Sequence, residues 1–164
     1  MLVNTDATAT EHGFVAMWPT AESRMGVAWL DGRATAAAAP QGHEPGSHAH
    51  GESGMTMLRA AIFAADLERG DESAIDTSVC DCCQTDAVVT DDGPVLVYRD
   101  RNPDEVRDIA LTRLQAGEWS APVRVHADGW KIDACPVNGP AVDARGTTVA
   151  VAWFTAPDQP RIRL

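Results

Sequence analysis

Four cysteines carry the most distinctive chemistry of this 164-residue sequence. Cys80, Cys82 and Cys83 fall within four consecutive positions, and Cys135 follows much later in the chain. Thiolates bind soft or borderline metals such as copper and zinc, and pairs of thiols form disulfides. The residues leave three outcomes open: a disulfide such as Cys83 to Cys135, a metal or redox site that includes Cys80 and Cys82, or buried inert thiols.

The geometry of a strand limits which of the cysteines can share one site. If the cysteine segment is extended, alternate side chains point to the same side. Cys80 and Cys82 can then share a site, whereas the adjacent residues Cys82 and Cys83 cannot easily do so.

Histidines extend the set of candidate metal ligands. His43, His48 and His50 lie in a stretch rich in Gly and Pro. His48 and His50, one residue apart, would chelate Cu(II), Ni(II) or Zn(II) if this stretch folds over the cysteines. The alternative is a solvated loop whose imidazoles hold no metal.

A second group of residues is a candidate rim for a small-ligand site. The segment 130–140 combines an aromatic ring for stacking with acid and amide hydrogen-bonding groups. Similar groups occupy matching positions around residues 81–85. The alternative is that these side chains only fix turns and backbone donors. The candidate rim residues are Asp81, Gln84, Arg101, Trp130, Asp133 and Asn138.

A repeat must position these residues. Asp81-Cys82-Cys83 is followed ten residues on by Gly93 and a strand pattern that ends in Tyr98-Arg99-Asp100. Asp133-Ala134-Cys135 is followed eleven residues on by Gly146 and a pattern that ends in Trp153-Phe154. A repeat of about fifty residues built from short strands is typical of a β-propeller, in which each repeat is one blade. If the first strand of each unit lines a central channel, Cys135 approaches the cysteine cluster from the next blade.

The sequence therefore predicts an all-β fold, a partial β-propeller of about two and a half to three four-stranded antiparallel blades. We expect one domain over residues 1–164, with a His/Gly/Pro-rich loop inserted at 34–54 and approximate blades at 13–77, 78–126 and 130–164, the last of them incomplete. Apolar and alternating patterns predict strands at 13–18, 25–30, 55–64, 74–77, 87–89, 94–98, 108–113, 119–125, 141–142 and 149–154.

Composition sets limits on partners. The formal net charge of -11 argues against nucleic acid, whose phosphates require a basic surface. The sequence has no apolar stretch of membrane-spanning length and no signal-peptide pattern. Because closed propellers usually have about four to eight blades, we expect a fragment whose exposed blade edges favour self-association.

Several segments resemble bacterial sialidase-like, BNR/Asp-box β-propeller proteins. Residues 28–33, 97–101 and 151–154 are similar to the second strands of such blades, and residues 114–122 are similar to a degenerate blade-closing Asp-box turn. The resemblance implies an extracytoplasmic parent protein, periplasmic or secreted, that binds a carbohydrate or another small ligand at the channel mouth. For a hydrolase it implies an arginine cluster, a Tyr–Glu pair and an acid–base Asp. Tyr98 is the only tyrosine, and it stands where the neighbouring units have Trp29 and Trp153, which favours a packed aromatic over a nucleophile.

Three functions follow as alternatives. The first is a propeller segment with a binding or structural role rather than a catalytic one. The second is an exo-sialidase-type glycoside hydrolase whose catalytic residues lie largely in missing blades. The third is a protein that handles copper or zinc through the cysteines and histidines. No catalytic residue is assigned.

Overall fold

The computed structural model of the chain describes residues 2–38 and 54–164. These residues form twelve strands in three open antiparallel sheets, which confirms the all-β class. A short 3-10 helix, Arg33–Ala38, follows the second strand. The strands are β1 His12–Pro19, β2 Met25–Asp31, β3 Met57–Phe63, β4 Arg69–Asp76, β5 Asp86–Thr90, β6 Gly93–Arg99, β7 Ile109–Gln115, β8 Glu118–Trp119, β9 Val123–Arg124, β10 Ala141–Arg145, β11 Thr148–Thr155 and β12 Arg161–Arg163.

Each sheet is built from strands that follow one another in the chain. The first sheet has the order β1-β2-β3-β4, and the second has the order β5-β6-β7-β8 with β9 also paired to β7. The third sheet contains β10, β11 and β12. None of the described residues forms a helix with the length and apolar character that a membrane span requires.

The three sheets adjoin through their first strands. β1 contacts β5, and β5 contacts β10. Side-chain hydrogen bonds link the strands at this junction: Thr85 Oγ1, just before β5, donates to the Phe14 carbonyl (2.6 Å), and the Val142 amide donates to Asp86 Oδ2 (2.8 Å). The start of each repeat therefore lies beside the start of the next one.

The core is divided by the middle sheet, and β6 belongs to both halves. Leu96 and Tyr98 pack in a buried cluster with residues of the first sheet. Val95 and Val97, on the opposite face of β6, pack with residues of the third sheet. This double burial explains the continuous apolar run of β6, since a strand covered on both faces does not alternate with polar residues.

The second strand of each sheet carries a buried aromatic residue at an equivalent place. Trp29, Tyr98 and Trp153 are at most 5% exposed. Each of them donates a hydrogen bond to a carboxylate, which satisfies its polar atom inside the core. The pairs are Trp29 with Asp31 (2.8 Å), Tyr98 with Asp76 (2.6 Å) and Trp153 with Asp128 (2.7 Å).

Two strands differ from those expected. β4 spans Arg69–Asp76 instead of a short edge segment at 74–77, and its charged residues are held at the sheet edge, where Arg69 pairs with Glu72 (2.9 Å). The strand expected at 119–125 divides into β8 and β9 around Pro122, which has no amide hydrogen for a sheet ladder. Of the expected inserted loop, residues 39–53 lie outside the described residues.

Candidate functional site

The cysteine cluster lies on the connection between the first and second sheets. Val79 forms an isolated bridge with Asp100, and the Cys80 amide donates to the Arg99 carbonyl (3.0 Å). The chain then turns at Asp81 and Cys82 before it enters β5. The strand geometry assumed for the cysteines is therefore wrong, because residues 80–83 form a turn that brings neighbouring side chains together.

Three sulfur atoms converge at this turn. Cys80 Sγ lies 3.3 Å from Cys83 Sγ and 3.7 Å from Cys82 Sγ, and all three sulfurs lie within 4.8 Å of one another. Cys80 and Cys83 are each only 1% exposed, whereas Cys82 is half-buried. We call these three residues the buried thiol set. Such a set can hold one metal ion.

Two guanidinium groups flank the buried thiol set. Arg107, 3% exposed, donates through Nη1 to Cys80 Sγ (3.3 Å) and through Nη2 to Glu105 (2.9 Å). Arg107 Nε is buried and has no hydrogen-bond partner among the described residues. Glu105 is shared with Arg101, which binds it through two nitrogens. The thiols therefore lie in a buried, electropositive environment.

Arg99 is the second guanidinium, and its contacts are unusual. It is 1% exposed, and its side chain donates to three backbone carbonyls, those of Asn138 (2.8 and 3.0 Å), Arg107 (2.6 Å) and Phe154 (2.8 Å). Its guanidinium carbon also lies 5.0 Å from the centre of the Trp130 ring. No carboxylate within residues 2–38 and 54–164 forms an ion pair with Arg99. Burial lowers the pKa of Arg99, while the nearby Cys83 and Cys80 thiols and the buried Asp108 carboxylate act in the opposite direction.

The thiols differ in acidity because of these contacts. The hydrogen bond from the Cys83 thiol lowers the pKa of Cys80, and Arg107 acts in the same direction. The hydrogen bond to Cys80 and burial together raise the pKa of Cys83. Burial raises the pKa of Cys82. Of the three thiols, Cys80 is therefore the most readily deprotonated, and its sulfur lies 3.3 Å from that of Cys83.

A second group of possible ligands shares Cys82 with the buried thiol set. Asp81, Cys82 and Cys135 offer one carboxylate oxygen and two sulfurs within 4.8 Å of one another. The Cys135 thiol points at Asp81 Oδ1 (3.8 Å), and both of these residues are exposed. We call this group the exposed set. All four cysteines are free thiols in the structure, so the alternative of a disulfide such as Cys83 to Cys135 is not present there.

The loop that carries Cys135 is fixed against the cysteine turn. The Gly139 amide donates to Gln84 Oε1 (3.1 Å), and the Asn138 carbonyl accepts from Arg99. A Cβ atom at Gly139 would lie 2.1 Å from the Gln84 carbonyl oxygen, so only glycine permits this approach. Val137 has a φ of 53°, a conformation that a β-branched residue rarely adopts. Tight local packing therefore places Cys135 beside Cys82.

The expected rim residues do not share one surface role. Asp81, Gln84 and Asn138 lie at the contact between the cysteine turn and the Cys135 loop. Arg101 is engaged by Glu105. Trp130 is buried between Arg99 and Phe154, with 5.5 Å between the two aromatic ring centres. Asp133 is exposed. His43, His48 and His50 lie outside the described residues.

Two features of the site were missed from the sequence. Cys80 and Cys83 have Cys-x-x-Cys spacing, but the assumption of an extended strand placed these two side chains on opposite sides. Arg99 and Arg107 were not linked to the thiols, because Arg99 reaches them from the end of β6 and Arg107 from the loop before β7. The Cys-x-x-Cys spacing was the available signal for the first feature. The second depends on contacts between distant residues, for which the sequence offers no pattern.

A further cluster of titratable groups lies at the edge of the first sheet. His12 Nε2 lies 3.1 Å from Asp6 and 3.4 Å from Asp31, and His12 Nδ1 lies 2.9 Å from the Thr10 carbonyl. Asp31 also accepts from Arg33 Nη2 (2.6 Å). These contacts join the N-terminal segment to β2, so they account for the cluster as a structural network.

An apolar groove lies between the second and third sheets, away from the cysteines. Its volume is about 480 Å³, and Leu111, Val125, Val151 and Trp153 are among the residues that line it. None of the candidate rim residues lines this groove. It therefore adds no support for a ligand site at the rim.

Searches with protein-family models, among curated proteins and among solved structures found no match to this chain.

Proposed function

We propose that this chain binds a single Cu(I) ion through Cys80, Cys82 and Cys83, within a segment of a β-propeller. The observation that carries this proposal is the convergence of three thiol sulfurs within 4.8 Å beside two buried guanidinium groups. Soft thiolate ligands select Cu(I) and Zn(II) among the common metals. Charge and ligand number favour Cu(I).

The charge balance supports a monovalent ion. Three thiolates around Cu(I) carry two negative charges, and the guanidinium groups of Arg99 and Arg107 supply two positive ones. With Zn(II) the same ligands carry only one negative charge, which matches the two guanidinium charges less closely. Glu105 does not change this balance, since Arg101 also pairs with it.

The three sulfurs need to move little to bind a metal ion. Metal–sulfur bonds of about 2.3 Å in trigonal or tetrahedral geometry separate the sulfurs by about 3.8–4.0 Å. Two of the separations in the metal-free set are 3.3 and 3.7 Å. Structural zinc sites almost always have four protein ligands, whereas the buried set offers three. The number of ligands therefore agrees with the charge balance.

The propeller architecture is supported by the order of the sheets. Three antiparallel sheets follow one another in the chain, and their first strands lie side by side. The equivalent aromatic residues of β2, β6 and β11 fit one blade design. The resemblance to sialidase-like propellers and an extracytoplasmic location remain predictions.

Binding is a better proposal than glycoside hydrolysis. Tyr98 is fully buried, and its hydroxyl donates to Asp76. The guanidinium of Arg99 is occupied by backbone carbonyls, and that of Arg101 by Glu105. Within the described residues these groups are therefore not available to a sugar carboxylate.

Anaerobic titration of the reduced protein with Cu(I), in competition with bicinchoninate, tests the proposal. We expect one tightly bound Cu(I) per chain. Because Cys83→Ser removes a direct sulfur ligand, we expect it to lower the affinity by more than the roughly 10- to 100-fold that loss of an outer-shell partner typically costs. The control is Ala134→Ser, which adds a hydroxyl at an exposed position outside the thiol set. Failure of the wild-type protein to compete for Cu(I), or a preference for Zn(II), would contradict the proposal.

A further inference from the structure

Cys82 belongs to both groups of candidate ligands. It lies with Cys80 and Cys83 in the buried thiol set, and with Asp81 and Cys135 in the exposed set. Exposure increases in the same order: Cys80 and Cys83 are buried, Cys82 is half-buried, and Asp81 and Cys135 are exposed. The two sets therefore form a continuous path from the surface to the interior with one shared sulfur.

We propose that the exposed set is the entry site for Cu(I), and that Cys82 carries the ion from it into the buried thiol set by ligand exchange. This inference rests on the proposed Cu(I) function. It assigns different roles to the four cysteines. Cys135 captures the Cu(I) ion, Cys82 transfers it, and Cys80 and Cys83 hold it in the buried thiol set.

Burial explains why an entry site is needed. A Cu(I) ion in solution arrives with soft ligands of its own, such as a low-molecular-weight thiol. Cys80 and Cys83 are 1% exposed, so a ligated ion cannot reach them directly. Cys135 and Cys82 can replace the donor's ligands at the surface. The ion then moves only from Cys82 to the neighbouring sulfur of Cys80, 3.7 Å away.

The exchange is balanced in bonds and protons, and copper remains Cu(I) throughout. Bonds from copper to the sulfurs of Cys82 and Cys135 form while its bonds to the donor ligands break. The Cys135 proton passes to solvent, and the Asp81 carboxylate faces the Cys135 sulfur at 3.8 Å. Bonds to Cys80 and Cys83 then form, the bond to Cys135 breaks, and Cys135 recovers a proton from solvent. The remaining thiol protons pass to solvent.

The loop packing keeps the entry sulfur at the right distance. Arg99 of β6 donates to the Asn138 carbonyl, and the Gly139 amide donates to Gln84, so the residues just after Cys135 are fixed against the cysteine turn and the end of β6. Arg99 also lies beside the buried set. The same guanidinium therefore fixes the entry loop and contributes charge where the ion is retained.

Stopped-flow transfer of Cu(I) from its bicinchoninate complex to the reduced protein tests the inference. We expect Cys135→Ser and Asp81→Asn to slow loading, Cys135→Ser by about tenfold or more, because each removes part of the positioned entry site. The equilibrium affinity of both variants for Cu(I) should stay within about twofold of the wild-type value. A twofold change is small, since a tenfold change in affinity corresponds to about 1.4 kcal/mol. The matched controls are Ala134→Ser beside Cys135 and Asp104→Asn, an exposed carboxylate outside both sets.

The outcomes separate this inference from the proposed function. Wild-type loading rates in Cys135→Ser, with Cu(I) still bound tightly, would overturn the entry site and leave Cu(I) binding intact. A loss of affinity in Cys135→Ser as large as that in Cys83→Ser would make Cys135 a permanent ligand and also overturn the inference. If the wild-type protein takes no Cu(I), both proposals are wrong.

Discussion

Replacement of Arg99 by lysine tests whether this side chain ties the second and third sheets together. Arg99 donates to three carbonyls that belong to β11, to the Cys135 loop and to the segment before β7. Lysine keeps the positive charge, but its compact ammonium group cannot reach carbonyls as widely spread as those of a planar guanidinium. We expect at least two of the three carbonyls to lose their partner.

The magnitude follows from the number of lost hydrogen bonds. Hydrogen bonds to charged groups contribute about 1.5–3 kcal/mol each, so the loss of two corresponds to about 3–6 kcal/mol. This is a large part of the roughly 5–15 kcal/mol by which a typical domain is stable. We therefore expect Arg99→Lys to lower the urea midpoint markedly, with the same dependence of the unfolding free energy on urea.

The assay is urea unfolding of the reduced, metal-free protein, followed by tryptophan fluorescence. The matched control is Arg161→Lys, since Arg161 pairs with the exposed Asp158 and such pairs contribute about 0–1 kcal/mol. A change in Arg99→Lys no larger than that of the control would refute the idea that Arg99 joins these segments.

Two further predictions concern the Cys135 loop and acid stability. Gly139→Ala places a Cβ 2.1 Å from the Gln84 carbonyl oxygen, so the loop must move. We therefore expect Cys135 to react faster with iodoacetamide in this variant. An unchanged rate would mean that the loop tolerates the methyl group. Burial acts to raise the pKa of Asp31, but hydrogen bonds from Arg33 and Trp29 outweigh it, and the net pKa is lowered. A carboxyl whose folded-state pKa is lowered contributes stability above its unfolded value of about 3.9, and this contribution disappears as the pH falls through the folded value. Asp31→Asn should therefore be less stable than the wild type at pH 7, and the difference in unfolding free energy should narrow in acid; a gap that is constant with pH would contradict this.

The sequence pattern predicts the strands better than the site. The apolar run of β6 and the alternation of β11 are local signals, and both strands lie where the pattern puts them. β4 is harder to recognise, because its charged residues are stabilised by ion pairs with Arg59 and Arg69 rather than by burial. Strand formation at a sheet edge depends on the neighbouring strand, which a local pattern does not contain.

The candidate site depends on contacts between distant parts of the chain. The cysteines were identified from their residue type, but their geometry depends on the turn at 81–82 and on a loop that starts about fifty residues later. The role of Arg99 requires its side chain to pass between two sheets. Residue type therefore identified the sulfur ligands, while their positively charged neighbours emerged only from the fold.

The packing of β6 between two clusters couples the three sheets through a single strand. Because Leu96 and Val97 face opposite clusters, disorder in either outer sheet uncovers one side of the same strand. Arrays of repeats draw much of their stability from such contacts between neighbours. The Cys80 amide is anchored to the last residue of β6. Detachment of the third sheet would therefore uncover one face of the strand whose last residue holds the Cys80 amide, so the third sheet also supports the turn that carries the sulfurs.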